Sequence, residues 1–242
     1  NILKKIFYNR MLNNKKVKSL LSFDPYFKQY AVSNFKNGKK VKDLPDPSLF
    51  EEKYRIYKNN LLDFKEKGRI VFVMFGYMQE RKGIFQLLNS FKNLSSKNAS
   101  RATFYIAGRI DPSIKEEVNN IEHTILETQK SIKLNIWDRY VSDQELVSLI
   151  ISSDCVLAPY QYFTGSSGVM FWAAGANKPI ITQDNGLMGK WTNENQLGIA
   201  VDTTDANKLS DAITRFIEDD NEDVFNQENI IKFAERNTPD RF

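Results

Sequence analysis

From Arg69 to Phe75 the chain reads Arg-Ile-Val-Phe-Val-Met-Phe, an unbroken apolar run closed by Gly76. Nothing else in the sequence constrains the fold as much. A half-exposed strand alternates apolar with polar residues, so a run apolar on both faces belongs to a strand covered on both sides, the condition of a parallel sheet. After Gly83, the residues Ile84, Leu87, Leu88 and Phe91 recur at three- and four-residue spacing, the stripe of a helix packed through one face. The alternation then repeats. Strands are predicted at Ala102 to Ala107, near Ile132 to Trp137, and at Cys155 to Ala158, Pro179 to Thr182 and Ile199 to Val201. Helices are predicted within Pro112 to Lys130, from Ser142 through Ile150, from Gly168 to Ala176, and along the stripe Leu209, Ala212, Ile213, Phe216 and Ile217. The second of these opens on Ser142-Asp143-Gln144-Glu145, a capping box in which Ser and Glu satisfy each other's backbone N–H groups.

Helical crossovers make consecutive strands parallel. The expected fold class is therefore α/β, a Rossmann-like doubly wound sheet of about six strands over residues 48–220. Residues 221–242 read as a terminal helix from Asn221 to Asn237. Residues 1–47 form a small, mostly helical segment: a basic helix, an apolar stretch at Leu20 to Phe23, a helix from Pro25 to Val32, and the cluster Leu44-Pro45-Asp46-Pro47, whose two prolines favour an extended linker.

Between Lys4 and Lys18, Lys4, Lys5, Arg10, Lys15, Lys16 and Lys18 alternate with Ile6, Phe7, Met11 and Leu12. Two readings fit: a peripheral contact with an anionic membrane surface, or a solvated helix whose apolar side packs on a neighbour. A net charge of +4, from 34 basic and 30 acidic residues, is too small to argue for nucleic acid. Cys155 is the only cysteine, so no disulfide forms within the chain, which fits a reducing cytoplasm. No run approaches the ~20 apolar residues that span a bilayer. A start at Asn1 rather than Met leaves room for an N-terminal partner domain.

Two loops carry the candidate chemistry. The first, Gly76-Tyr77-Met78-Gln79-Glu80-Arg81-Lys82-Gly83, sets two cations after a strand and ahead of a helix, where phosphate is attracted. The second, Tyr162-Phe163-Thr164-Gly165-Ser166-Ser167-Gly168, offers two glycines for close backbone approach and two hydroxyls at the start of another helix. A plain Ser N-cap would need only one of those serines. Together the loops predict a diphosphate site made of Gly76, Arg81, Lys82, Gly165, Ser166, Ser167 and Gly168. His123, the single histidine, leaves no His-rich metal site and lies in a polar helix. Asp184-Asn185-Gly186 follows a strand on the ligand-facing edge and reads equally as a contact to the sugar or as a plain turn.

The ordered series Phe75-Gly76 to Arg81-Lys82-Gly83, Ile106-Ala107-Gly108, Tyr140 to Leu146, Asp154 to Tyr160, Gly165 to Gly168 and Lys178-Pro179-Ile180-Ile181 resembles, over some 150 residues, the C-terminal donor domain of GT-B glycosyltransferases of the retaining family 4. The resemblance implies transfer of a hexosyl group from a UDP- or GDP-sugar to a glycan or lipid-linked acceptor, with retention of configuration and without metal or cofactor. It makes residues 1–47 the tail of an acceptor half plus linker, places the wall of the base site at Arg139 and Tyr140, and suits polysaccharide synthesis in the cytoplasm or at the inner membrane face. Two positions depart from the family pattern. Tyr77 stands where members carry Arg, a charge that Arg81 would supply. Thr164 and Trp172 stand at the two positions of the paired glutamates that contact sugar and ribose. Two expectations therefore stand side by side: a glycosyltransferase, or a degenerate domain that binds a nucleotide sugar or a partner without turnover.

Overall fold

The computed structural model describes residues 2–44, 50, 68–218 and 223–238. The linker prolines Pro45 and Pro47 and the start of the expected terminal helix at Asn221 lie outside them. The chain divides into two compact units, Asn1–Pro47 with Arg236–Phe242, and Ser48–Glu235.

In the small unit, helix α1 (Ile2–Asn13) precedes strand β1 (Leu20–Ser22), helix α2 (Pro25–Asn34) and strand β2 (Val41–Asp43). Asp24 starts α2: its Oδ1 accepts the N–H groups of Tyr26 and Phe27 at 2.9 and 3.3 Å, and Pro25 holds the first helical position. The helix runs two residues past the expected Val32. The apolar stretch after Lys18 becomes β1, paired in parallel with β2 so that Leu20 faces Val41. Leu12, Ala31, Phe35 and Val41 are buried together, with Tyr8, Leu20 and Phe27 packed on them.

In the large unit, β3 (Ile70–Phe75) leads into α3 (Ile84–Ser90), α4 (Ser96–Ser100) and β4 (Ala102–Ala107). Next come α5 (Lys115–Thr128), β5 (Lys133–Trp137), α6 (Asp143–Ser152), β6 (Cys155–Ala158) and α7 (Gly168–Gly175). The chain then forms β7 (Ile180–Gln183), α8 (Gly186–Glu194), β8 (Gly198–Val201), α9 (Ala206–Glu218) and α10 (Gln227–Arg236). All six strands are parallel, in the order β5-β4-β3-β6-β7-β8. The α/β doubly wound expectation holds, with the strands within a residue or two of their predicted positions.

Successive residues of a strand face opposite sides, so β3 serves two cores. Phe72 and Met74 join Leu88, Phe91, Phe104, Leu209 and Phe216 on one face. Val71, Val73 and Phe75 join Met170, Phe171, Met188 and Phe233 on the other. Phe72 stacks on Phe104 at 5.0 Å, and Phe104 lies 4.2 Å from Phe91. Cys155 is fully buried within the first core, and that burial pushes its thiol well above the ordinary range. The capping box at Ser142 forms as expected.

Strand order decides where a ligand can enter. From β3 the chain winds outward to β4 and β5, then returns to β6 and winds the other way. The crevice of such a sheet opens at the carboxyl ends of the two strands that flank the reversal. Here those strands are β3 and β6, and the loops that leave them are the two singled out in the sequence.

Candidate functional site

Gly76 leaves β3 with φ 104°, a conformation suited to glycine. A Cβ at Gly108, the residue after β4, would stand 2.0 Å from the Gly76 carbonyl oxygen, so the two loops cross with no room for a side chain. After the turn, Glu80–Lys82 form a single 3-10 turn ended by Gly83, whose φ is 81°. A Cβ there would meet the Pro159 carbonyl oxygen at 1.8 Å. The first loop thus rests directly on the backbone that leaves β6, and the Gln161 N–H donates to the Arg81 carbonyl at 2.8 Å.

The two expected cations part company. Lys82 is turned inward and only 9% exposed. Its Nζ donates to the Tyr160 hydroxyl at 2.6 Å and, at a longer 3.4 Å, to the Phe75 carbonyl, and it stands 4.7 Å from the centre of the Tyr160 ring. The same Tyr160 hydroxyl lies 2.8 Å from Ser167 Oγ, which is the N-cap of α7 and accepts from the Val169 N–H at 3.4 Å. A hydrogen-bonded chain, Lys82 to Tyr160 to Ser167, therefore joins the cationic loop to the Gly/Ser loop. Arg81 faces solvent. Its Nε donates to Gln79 Oε1 at 3.2 Å and its guanidinium lies 5.8 Å from the centre of the Phe163 ring, in the second loop.

The second loop is held from beneath. Gln183, at the end of β7, donates to the Phe163 carbonyl, and the Leu187 N–H donates to the Thr164 carbonyl at 3.1 Å. Gly186 approaches so closely that a Cβ would stand 2.6 Å from Thr164 Cα. Asp184-Asn185-Gly186 is thus the start of α8, a helix not anticipated, which clamps the loop. Tyr162 projects from this loop 88% exposed, in the left-handed region at φ 53°. Gly165 sits against the Phe163 ring, Ser166 is half-buried, and Gly168 opens α7 with free space on its Cα.

A cleft of about 240 Å³ lies beside Gly76 at the ends of β3 to β5, with Tyr77, Gly108, Arg139, Tyr140 and Val141 on its walls. Tyr140 is 67% exposed. Arg139 is engaged: it grips both Glu145 carboxylate oxygens, at 2.8 and 3.2 Å, and lies 5.0 Å from the centre of the Trp137 ring. That grip, reinforced by the Ser142 backbone and hydroxyl, holds the Glu145 carboxyl down at about 2. Tyr77, in the place of the family's Arg, is half-exposed, and desolvation, followed by the nearby Asp111 carboxylate, raises its hydroxyl above the ordinary range. Trp172 packs edge-on against Phe50 at 5.9 Å and against the second core. Its ring is committed to packing in this structure. His123 is exposed beside Glu127 on α5.

Tyr160 is the residue the sequence did not single out. Its one signal was position: an aromatic hydroxyl directly after a buried strand, where burial demands a polar partner.

The profile of the family described as glycosyl transferases group 1 matches residues 62–236. No curated protein matches in sequence. Among solved structures the chain resembles a glycosyltransferase from Rickettsia africae, with 18% identity and a TM-score of 0.68 over 98% of this chain and 63% of that one. It also resembles the apo structure of OtsA, at 11% identity and a TM-score of 0.68, covering 82% of this chain and 48% of that one. A third is Anabaena HepE in complex with UDP and glucose, at 11% identity and a TM-score of 0.66, covering 91% of this chain and 59% of that one. The likeness is one of fold, the Rossmann-like half of GT-B enzymes, and the chain spans about half the length of OtsA. With the family profile covering most of its length, this chain belongs to the glycosyl transferases group 1 family.

Proposed function

We propose that the large unit binds the nucleoside diphosphate of a sugar donor and that the protein transfers the hexosyl group to a glycan or lipid-linked acceptor with retention of configuration. The observation that carries this reading is the hydrogen-bonded chain Lys82–Tyr160–Ser167 at the point where the strand order reverses. An ammonium has donors only, so Lys82 gives a hydrogen to the Tyr160 oxygen. Tyr160 then gives its own to Ser167 Oγ, and the Ser167 hydrogen is left for an oxygen of the ligand. The diphosphate would lie between Gly76 and the Gly165 to Gly168 segment, taking hydrogen bonds from Ser166, Ser167 and the first N–H groups of α7, with Arg81 closing over it from the rim. As the sugar–phosphate bond breaks, charge grows on the departing oxygen, and donors fixed in advance stabilise it without reorganising. The apolar cleft beside Tyr140 suits the base, and Thr164 faces the sugar side of the second loop. In this reading no metal or cofactor takes part, and the small unit is the tail of an acceptor half. The exposed Ile2, Leu3, Ile6 and Phe7 of α1, set among Lys4 and Lys5, would touch an anionic membrane surface, from the cytoplasmic side.

Calorimetric titration with UDP, GDP and ADP tests the donor site. At least one should bind, and Arg81→Ala should weaken it more than about tenfold, since a hydrogen bond to a charged group contributes about 1.5 to 3 kcal/mol. Absence of heat with all three nucleotides sinks the proposal. A second reading, a binding domain without turnover, is favoured by one observation: Thr164 and Trp172 occupy the paired-glutamate positions, and the Trp172 ring is packed against Phe50. Nucleotide binding with no hydrolysis or transfer by the protein would select it.

A further inference from the structure

The charge of the chain is not spread evenly. Residues 1–43 contain eleven Lys and Arg against two Asp, a balance of +9, whereas the whole chain carries +4, so the remaining residues sum to −5. Both acids are already engaged. Asp24 caps α2, and Asp43 pairs with Lys28 at 2.6 Å. Five of the lysines converge on one place. Lys18 ahead of β1, Lys36, Lys39 and Lys40 in the turn between α2 and β2, and Lys42 on β2 line a cleft of about 350 Å³ whose lining, among the described residues, holds no acidic residue. Lys40 forms its fixed floor, because its Nζ is held by the carbonyls of Leu12 and Asn14 at 2.7 and 3.0 Å. The turn is tight enough to require glycine: a Cβ at Gly38 would overlap the Ala31 carbonyl oxygen at 1.9 Å. Lys36, Lys39 and Lys40 are therefore presented from a rigid backbone. Like charges gathered on such a scaffold oppose folding, and a multiply charged anion relieves the repulsion.

We propose that this lysine cleft binds a phosphoryl or diphosphoryl group. Lysine binds phosphate as a compact point charge rather than through a planar fork, so the site reads charge density and not the plane of a carboxylate. The volume fits a diphosphate or a phosphorylated sugar rather than an extended polymer. The cleft lies wholly within the small unit, so this inference stands or falls independently of the donor site.

Amine-reactive footprinting read lysine by lysine tests it, with ionic strength held constant so that general screening is the same in every arm. Inorganic pyrophosphate at about ten times its dissociation constant should slow labelling of Lys18, Lys36, Lys39 and Lys42 about tenfold, in step with occupancy. Lys4, Lys5 and Lys28 should keep their rates. In the variant Lys36→Gln/Lys39→Gln/Lys42→Gln, with the far-UV spectrum and melting curve checked against wild type, protection of the untouched Lys18 should vanish. Vesicles of phosphatidylglycerol, compared with phosphatidylcholine, identify the source: protection by the anionic vesicles alone means a lipid-borne phosphate, and protection by pyrophosphate alone a soluble one. The proposal is overturned by no protection in any arm, by pyrophosphate protecting Lys4, Lys5 and Lys28 as much as the cleft lysines, or by protection of Lys18 that survives the triple substitution.

Discussion

Replacing Tyr160 by Phe removes one oxygen from the middle of the site. Tyr160 is 3% exposed and its ring meets Phe163 edge-on at 5.3 Å, so a phenyl ring keeps its place. The face of that ring still attracts Lys82 at 4.7 Å. What disappears is the hydrogen bond from a buried ammonium at 2.6 Å and the contact with Ser167 at 2.8 Å. The first belongs to the charged class, about 1.5 to 3 kcal/mol, and the second to the neutral class, about 1 kcal/mol. The remaining partner of Lys82, the Phe75 carbonyl at 3.4 Å, is too long to compensate. We expect a loss of about 3 kcal/mol, read as a lower urea midpoint with an unchanged slope. Ser167→Ala removes the other end of the chain together with an N-cap and should cost about 1 to 2 kcal/mol. If the three groups act as one chain, the double variant loses less than the sum of the two by about 1 kcal/mol. Strictly additive losses, or a Tyr160→Phe loss under about 0.5 kcal/mol, refute the linkage between the loops.

Gly83→Ala should destabilise the large unit by more than about 2 kcal/mol, because it combines a φ of 81° with a Cβ driven into the Pro159 carbonyl at 1.8 Å; a melting curve like that of wild type would contradict this. Phe72→Ala should lose about 3 to 5 kcal/mol in denaturant titration, since Phe72 is fully buried between Phe104 and Phe216. Glu145 carries a pH signature. Its folded value of about 2 lies below its ordinary 4.5, so its stabilisation is present above pH 4.5 and is lost as pH falls toward 2. The pair is substantially exposed, with side chains 49% and 38% accessible, so solvent screening reduces the effect to about 1 kcal/mol or less. Glu145→Gln should therefore be less stable than wild type at pH 7 and equal to it near pH 2, and a difference that persists in acid would exclude the carboxylate as its cause.

The sheet was legible because its signals are local. A run such as Ile70 to Phe75, apolar on both faces, has no alternative to a central parallel strand, and the helix stripes are periodic within one segment. The elements that escaped depend on contacts distant in sequence. Strands of three residues, such as Leu20–Ser22 and Val41–Asp43, carry too few positions for a pattern and exist because they pair with each other. Helix α8 begins in Asp184-Asn185-Gly186, which by composition is a turn; it is helical because Gly186 lies against Thr164 and the Leu187 N–H finds the Thr164 carbonyl. The cationic loop and the Gly/Ser loop could be read, but the opposite fates of Arg81 and Lys82 could not. Adjacent cations are equivalent in a sequence, and only the 3-10 turn, which sends one outward and the next inward, separates them.

That separation has a consequence for how the site could work. A lysine held by a tyrosine hydroxyl cannot swing out to meet a ligand without giving up its shortest hydrogen bond, so in the proposed donor site Lys82 would act on a diphosphate from a fixed position and through Ser167. Arg81, whose side chain among the described residues meets only Gln79 and the face of Phe163, can move. Under the proposed function, one cation would set the geometry of the crevice before anything binds, while the other would close on what arrives. Substitution at the two positions should separate accordingly. Arg81→Ala should change nucleotide affinity while leaving the melting temperature of the free protein within about 2 °C, whereas Lys82→Met should lower stability as well, since it strands the Tyr160 hydroxyl in the interior. Loss of stability at Arg81 equal to that at Lys82 would mean that both cations are structural, and the division of labour between them would not stand.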